Sequence, residues 1–432
     1  MAQIVVLVRH GKAQTRSLDA VDFERTLTEA GRRALVAWLP KSARLLADEL
    51  AALGCPDVEI WTSPADRARQ TADLVAEALL EQSQVKSVDM IEEPCLWEQD
   101  CDTFLALARE SVAPCVVAVG HNPFCEAASQ QICGEPIPFA TGGIACFKLE
   151  GEGRLLWFVQ GPESKRWKAA CDIEKTVRKA ANAIDERLER FLESPEDAEA
   201  AHKVRVSIRT MRGLLAFLKP FQTSAQNKQM NSDLRANVLC TSRLRELDVL
   251  CDQVAQLEPA ADDLLEACRQ QRALECERTI KALTSKDARK RFNRIAKSAR
   301  QFEWKRPIVE LGMEPDAVRN RFEEVTTQVE TDLESLDLAD AERTHDVRKQ
   351  AKQVRYAAEQ FGGFIGEEAV ETATRMEAAQ DRLGALCDAR VNVELVDSFP
   401  REGLSEHALW DLGLLRAQNE AFILNTLREA SR

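Results

Sequence analysis

The sequence predicts two domains of different class, an α/β domain over residues 1–162 and an all-helical bundle over residues 166–432. Three observations carry this prediction. Up to about Gly161, short β-branched runs alternate with helical stretches, as in α/β layer folds. After "GPES" (Gly161–Ser164) the chain turns to long, charged, helix-periodic segments with few glycines and almost no strand signal. Within that second stretch, "HKVRVSIRTMR" (His202–Arg212) is answered 143 residues later by "HDVRKQAKQVR" (His345–Arg355), both reading H-x-x-R-x-x-x-[RK]-x-x-R.

In chain order, the predicted strands of the first domain are Ile4–Val8, Val58–Trp61, Cys115–Val119, Ile144–Leu149 and Leu155–Val159. Helices are predicted over Leu27–Leu53, Arg67–Glu81 and Asp102–Glu110. In such sheets, ligands gather at the carboxyl ends of the strands. In the second domain, breaks between helices are expected near Glu193–Asp197, Lys219–Gln229, Leu257–Asp263, Trp304–Pro307 and Phe399–Gly403, where proline, glycine and short polar residues cluster.

Composition narrows the function classes. Apolar residues make up 45% and charged residues 30%, which is ordinary for a folded globular protein. The net charge of −13 argues against nucleic-acid binding by the whole surface but leaves room for a local basic patch. Residues 1–165 carry 15 basic against 24 acidic side chains, whereas the remainder carries 43 against 47, so clustering decides the field of the second domain. The thirteen cysteines form no C-x-x-C pair, which suits buried thiols in a reducing compartment better than a disulfide framework or a zinc site. The apolar opening Ile4–Val8 is too short for a signal peptide core or a membrane span. A cytoplasmic protein without membrane attachment is expected.

Arg9-His10-Gly11 follows directly on the first strand, so His10 stands at its carboxyl end. A histidine there can act as a nucleophile when one ring nitrogen is free and the other is held by a backbone carbonyl. A phosphoryl group is its natural electrophile, because it needs guanidinium and imidazole donors around it. Those donors occur at turns: Arg9, Arg25 in "RTLTEAG", Arg67 in "TSPADRARQT" and His121 in "AVGHNP". Arginine suits the task because its planar fork grips phosphate oxygens in pairs. For Arg25 a surface ion pair is as good a reading as a site role.

Together, "VRHGKA", "RTLTEAG", "TSPADRARQTA" and "VGHNP" resemble the histidine phosphatase superfamily, with its phosphoglycerate-mutase-like fold, and within it the short phosphohistidine phosphatases of the SixA type. The resemblance covers nearly all of residues 1–162 and implies a three-layer α/β fold. It implies a phosphatase in which His10 is transiently phosphorylated and Arg9, Arg67 and His121 form the phosphate pocket. Arg25 would be a further contact and Asn122 would shape the loop. Water would then hydrolyse the phosphohistidine, with no metal or other cofactor. Larger members carry a glutamate general acid. Here the corresponding "EEPCLWEQDCD" offers Glu98, which reads better as a solvated surface residue. Without that acid, an easily departing imidazole from phosphohistidine is the favoured leaving group.

On a helix turning about 100° per residue, offsets of 3, 7 and 10 fall near 300°, 340° and 280°. His202, Arg205, Arg209 and Arg212 therefore share one face, opposite Val204, Ile208, Met211 and Leu215. His345, Arg348, Lys352 and Arg355 do the same, opposite Val347, Ala351, Val354 and Ala358. Stacking like charges along a helix costs repulsion energy, so each row calls for an anionic counterpart. The duplication extends to "RLRELDVL" (Arg243–Leu250) and "DRLGALCDARV" (Asp381–Val391), which suggests two helical hairpin units related by a pseudo-two-fold axis, with both basic faces in one groove. A third basic segment, Lys286–Lys297, is expected to offer Arg289, Lys290, Arg294 and Lys297 to the same surface. Asp248 and Asp388 are expected to pair with groove arginines and orient them.

"AHKVRVSIRTMR", "LRELDVL", "THDVRKQAKQVRY" and "DRLGALCD" resemble the CHAD family, the conserved-histidine α-helical domain, over about residues 166–432. Glu246 in "LRELDVL" departs from the family's arginine–aspartate form. The resemblance implies binding of inorganic polyphosphate in the basic groove, including at polyphosphate granules. The rivals are a solvated charged face, nucleic acid and a metal held by His202 and His345. Nucleic acid is disfavoured by the scarcity of aromatic residues for base stacking, and metal by the flanking cations. The expected whole is thus a phosphatase of phosphohistidine or another small or protein phosphate, tethered to polyphosphate. A non-catalytic polyphosphate-binding protein and a polyphosphate-trimming phosphatase remain as alternatives.

Overall fold

The computed structural model describes residues 2–16, 21–54, 56–149, 153–314 and 316–430. The chain divides into two compact units, residues 1–172 with 305–315, and residues 173–304 with 316–432. The division is therefore not a single cut near Gly161. The 305–315 stretch belongs with the sheet, where Met313 N–H donates to the Arg166 carbonyl at 3.1 Å and Arg306 pairs with Glu49 at 3.5 Å.

The first unit is a six-stranded sheet in the order β3-β2-β4-β1-β5-β6. Its strands are β1 (Ile4–Arg9), β2 (Asp57–Thr62), β3 (Ser87–Glu92), β4 (Cys115–Gly120), β5 (Ile144–Lys148) and β6 (Arg154–Val159). β1 pairs parallel with β4, and β2 parallel with both β3 and β4, while β5 and β6 are antiparallel additions at one edge. The helices are α1 (Glu29–Leu53), α2 (Asp66–Leu80), α3 (Cys95–Glu98), α4 (Cys101–Glu110) and α5 (Phe124–Cys133).

β1 and β4 are almost wholly apolar, as strands covered on both faces must be. Alternation splits their side chains between two layers. Val5, Leu7, Val116 and Ala118 pack in one core with Leu96, Phe104 and Phe124 of α3, α4 and α5. Val6, Val8 and Val117 face Leu39, Leu46, Val75 and Leu79 of α1 and α2. The result is the three-layer α/β arrangement. Burying each such Leu, Val or Phe is worth about 1.5–3 kcal/mol. β3 has no counterpart among the predicted strands: "SVDMIE" sits at the sheet edge with its outer residues exposed, so it lacks the apolar run that marked the others.

The second unit is all-helical. It contains most of α6 (Lys165–Glu193), then α7 (Ala198–Leu218), α8 (Ser224–Leu239), α9 (Ser242–Val254), α10 (Asp262–Leu283) and α11 (Lys286–Arg300). After the α12 turn (Arg306–Leu311) of the first unit come α13 (Ala317–Glu334), α14 (Ala341–Ile365), α15 (Glu368–Asp397) and α16 (Glu406–Ala430). The two basic signatures lie on α7 and α14, each capped by an aspartate, Asp197 accepting from Glu199 N–H and Asp340 from Arg343 N–H. Their apolar stripes are buried as the periodicity requires, Val204, Ile208, Met211 and Leu215 on α7 and Val347, Ala351, Val354 and Ala358 on α14. α7 packs against α14, and Gly213 lets them approach: a Cβ there would stand 3.1 Å from Tyr356 Cδ2. The duplication is imperfect. The second copy continues into one long α15, where the first has α8 and α9 separated at Cys240–Thr241.

Candidate functional site

Three parallel strands deliver the first site. β1 ends at Arg9 with His10 beyond it, β2 leads into Ser63, and β4 leads into His121. His10 N–H donates to the Gly120 carbonyl at 3.0 Å and Ser63 N–H to the Val119 carbonyl at 3.0 Å, so the three ends are tied side by side. Gly142, at φ +75°, where glycine is favoured, donates its N–H to the carbonyls of Arg9 and His10 at 3.1 Å each. Arg67 enters from the first turn of α2.

The His10 ring has a defined tautomer. Nδ1 lies 2.7 Å from the Gly11 carbonyl, which can only accept, so Nδ1 carries the proton. Nε2 is left with its lone pair and receives Arg67 Nε–H at 3.3 Å. The His121 ring stands 5.0 Å from that of His10 at an interplanar angle of 60°. His121 Nε2 is 2.8 Å from Ser63 Oγ, while its buried Nδ1 has no partner. Burial lowers the pKa of His10 to about 4, and the charges of Arg67, Arg9 and Arg25 reinforce it against the Gly11 hydrogen bond. Burial, with His10 and Arg67, lowers His121 to about 3. Both imidazoles are neutral at pH 7. Arg9 donates from Nη1 to the Phe139 carbonyl at 2.6 Å, and Asn122 Nδ2 donates to that same oxygen at 3.2 Å. The structure thus gathers Arg9, His10, Arg67 and His121, and holds Asn122 in the loop beside them.

Arg25 joins indirectly. Its Nη1 donates to Asp22 Oδ1 at 2.6 Å, and Arg67 Nη2 reaches Asp22 Oδ2 at 3.0 Å, so one carboxylate bridges the two guanidiniums. The Arg25 hydrogen bond, assisted by the Arg67 charge, lowers the Asp22 pKa below the usual carboxylate range. Asp22 was not legible from the sequence, although its place three residues before Arg25 is a weak signal. Trp97 was also missed. Its ring lies 5.3 Å from His121 and 5.5 Å from the Arg67 guanidinium, with Phe23 packed 5.2 Å away. Glu98, the next residue, is exposed at the end of α3.

A second site lies between α7 and α14. Arg205, Arg209, Arg212, His345, Arg348 and Lys352 all line one cavity of about 380 Å³. Lys349, Asn231, Ser242 and Tyr356 line it too, although the repeated basic spacing marks none of them for this site. The cations crowd one another. Burial, followed by the charges of Arg348 and Arg209, lowers the Lys352 pKa to about 8. Burial and then Arg209 lower Arg205 to about 10.

Other expected members fall elsewhere. His202 is on α7 outside the cavity lining, near the charge of Arg245. Arg355 points to acids on its own side, Glu377 at 2.8 Å and Glu359 at 3.5 Å. Arg289, Lys290, Arg294 and Lys297 occupy the exposed face of α11, which packs on α8, and Arg294 is paired with Asp233 at 2.6 Å. Asp388 does pair with a groove arginine, Arg348, at 3.1 Å. Asp248 instead receives Arg272 of α10 at 2.7 Å. In the first copy the arginine equivalent to Arg348 is Arg205, and it donates to Val238 carbonyl, Thr241 Oγ1 and Ser242 Oγ at the α8–α9 break. The break supplies acceptors that a continuous helix lacks, so the acid of the first copy is released to another partner.

Among the described residues, no cluster of three or more histidine, cysteine or acidic side chains could hold a metal ion, and no helix is long and apolar enough to cross a membrane.

Comparison with known families and structures follows this division. The histidine phosphatase superfamily (branch 1) model matches residues 5–137 and the CHAD domain model matches residues 175–397. A SixA protein of Agrobacterium tumefaciens, described as a phosphohistidine phosphatase, is 28% identical over 37% of this chain and 98% of its own, with a TM-score of 0.31. The CHAD domain of the plant Ricinus communis is 18% identical over 60% of this chain and 90% of its own, with a TM-score of 0.49. PptA from Streptomyces chartreusis is 17% identical over 60% and 97%, with a TM-score of 0.43. No curated protein gives a significant match.

Proposed function

The chain belongs to the CHAD family and carries a histidine phosphatase superfamily domain ahead of the CHAD region, and from this premise we propose that it is a phosphatase working through His10 and tethered to inorganic polyphosphate by the cavity between α7 and α14. The observation that carries the catalytic half is the tautomer of His10. With Nδ1–H held by Gly11, the Nε2 lone pair attacks phosphorus, forming the P–N bond while the bond to the leaving group breaks. Arg9, Arg67 and His121 surround the transferring phosphoryl with donors fixed before reaction, which is where such sites gain most of their rate. Water then attacks the phosphohistidine, the P–Nε2 bond breaks, and inorganic phosphate leaves. No metal enters the scheme.

The substrate is phosphohistidine in preference to a phosphate ester. Asp22 touches the pocket arginines, but it is held ionised and cannot protonate a leaving group. Glu98 is exposed, and its neighbour Trp97 is what faces the pocket. An imidazole departs without strong protonation, whereas an alkoxide does not.

The cationic cavity supports the second half. Rows of guanidinium and ammonium groups with depressed pKa values match a linear polymer bearing about one negative charge per unit, and neutralising it releases counterions. Such tethering would hold the enzyme on polyphosphate, including at granules.

The test is a substrate panel of phosphohistidine peptide, phosphoserine peptide, small phosphate esters, pyrophosphate and long polyphosphate. His10→Ala is expected to lose phosphate release from phosphohistidine by at least a thousand-fold while still binding polyphosphate. Arg209→Glu with Lys352→Glu is expected to remove salt-sensitive polyphosphate binding, whereas Arg355→Glu has little effect. Undiminished turnover by His10→Ala, or wild-type polyphosphate affinity in the double variant, rejects the corresponding half.

A further inference from the structure

Beside the cationic cavity lies a second one, of about 230 Å³, walled by α7, α13 and α14. Ala216 and Gln353 line both. The seam follows from helix geometry. At about 100° per residue, Gln353 is placed between the basic sector of α14 that holds His345, Arg348 and Lys352 and the sector that holds Gln350 and Val354. The walls change character across it. On the cationic side are Arg205, Arg209, Arg212, Arg348 and Lys352. On the other side are Phe217, Val325, Val329 and Val354, with the amides of Gln328, Gln350 and Gln353 and the Arg321–Glu324 pair.

Two polar atoms of this second lining are buried without a hydrogen-bond partner, Gln350 Oε1 and Arg321 Nε. One is an acceptor and the other a donor. Neither atom is open to the cavity, but the amides of Gln328, Gln350 and Gln353 in its lining carry both donors and acceptors, which suits a guest with complementary groups along its edge. Apolar side chains around the same space favour a flat, weakly hydrated guest. A nucleobase meets both demands, since its faces are apolar and its edge carries donors and acceptors. The adjoining cations would take the phosphates to which a nucleobase is joined through its sugar.

We propose that the paired cavities form a nucleotide site, with the base between α7, α13 and α14 and the polyphosphate tail between α7 and α14. The tail's half rests on the phosphate reading of the cationic cavity made above, but the base's half does not. This site is separate from the His10 pocket and uses none of its residues.

The test measures binding of inorganic triphosphate and of the imido analogues of ATP and GTP to the full chain by calorimetry. At least one analogue is expected to bind ten-fold or more tightly than inorganic triphosphate. That advantage should disappear in Gln350→Leu, which removes the amide, and in Val325→Trp, which fills the cavity, while triphosphate affinity stays unchanged in both. Equal or weaker affinity of both analogues with triphosphate still bound overturns the base site and leaves the phosphate reading standing. A nucleotide advantage that survives both variants places the base elsewhere and also overturns it. Loss of triphosphate binding from the wild type would sink the phosphate reading first, and the nucleotide site with it.

Discussion

His10 shows how much one contact decides. The same imidazole in water would share its proton between two nitrogens and would be charged below about pH 6.5. The Gly11 carbonyl selects the tautomer, and burial among Arg67, Arg9 and Arg25 lowers the pKa to about 4. His121, at about 3, follows the same logic. These shifts link pH to stability with a definite sign. Both histidines bind a proton less readily folded than unfolded, so they favour the native state above about pH 6.5 and release that support as pH falls toward 4. The first unit should therefore lose thermal stability steadily between pH 6.5 and 4. His10→Asn, which does not titrate, should flatten that dependence in a calorimetric series, and an unchanged slope would mean His10 is not the group responsible. Asp22 is the counter-example for reading by motif. Its bridge to Arg25 and Arg67 joins residues 45 positions apart, which only the fold brings together.

At the scale of elements, periodicity assigned faces correctly but not their neighbours. α7, α11 and α14 all present basic rows opposite apolar stripes. α7 and α14 pack against each other and bring theirs to one shared cavity, with Arg205 buried and Arg209 and His345 exposed at it, whereas α11 packs on α8 and leaves its row exposed away from that cavity. Nothing in the spacing of Arg289, Lys290, Arg294 and Lys297 distinguishes the two outcomes, because tertiary packing decides which face is covered. Likewise β1 and β4 were evident from continuous apolar runs, while the half-exposed edge strand β3 carried no such mark. The crowding of cations in that cavity has a consequence for binding. Lys352, with its pKa lowered to about 8, loses its proton as pH rises through that value, and a bound polyanion opposes the loss. Polyphosphate affinity should fall as pH goes from 7 to 9, by up to about ten-fold per unit for one linked proton. Lys352→Arg, charged throughout, should remove this dependence in titrations at constant ionic strength. A fall of equal steepness in that variant would assign the proton to another group.

On the proposed reading, the whole molecule joins two anion sites of different construction. The sheet unit fixes neutral imidazoles and arginines at the ends of β1, β2 and β4, where a phosphoryl group can be transferred. The helical unit gathers guanidinium and ammonium groups along α7 and α14, an arrangement that suits holding a polyanion. Reaction and retention are thus divided between residues that do not overlap. The most direct test of the catalytic claim is rapid-quench trapping of the full chain during turnover of a phosphohistidine peptide, with the phosphorylated atom identified by phosphorus NMR and peptide mapping. The account predicts phosphate on Nε2 of His10. Phosphate on Nδ1, or turnover with no phosphoryl group on His10 at any time, would contradict it.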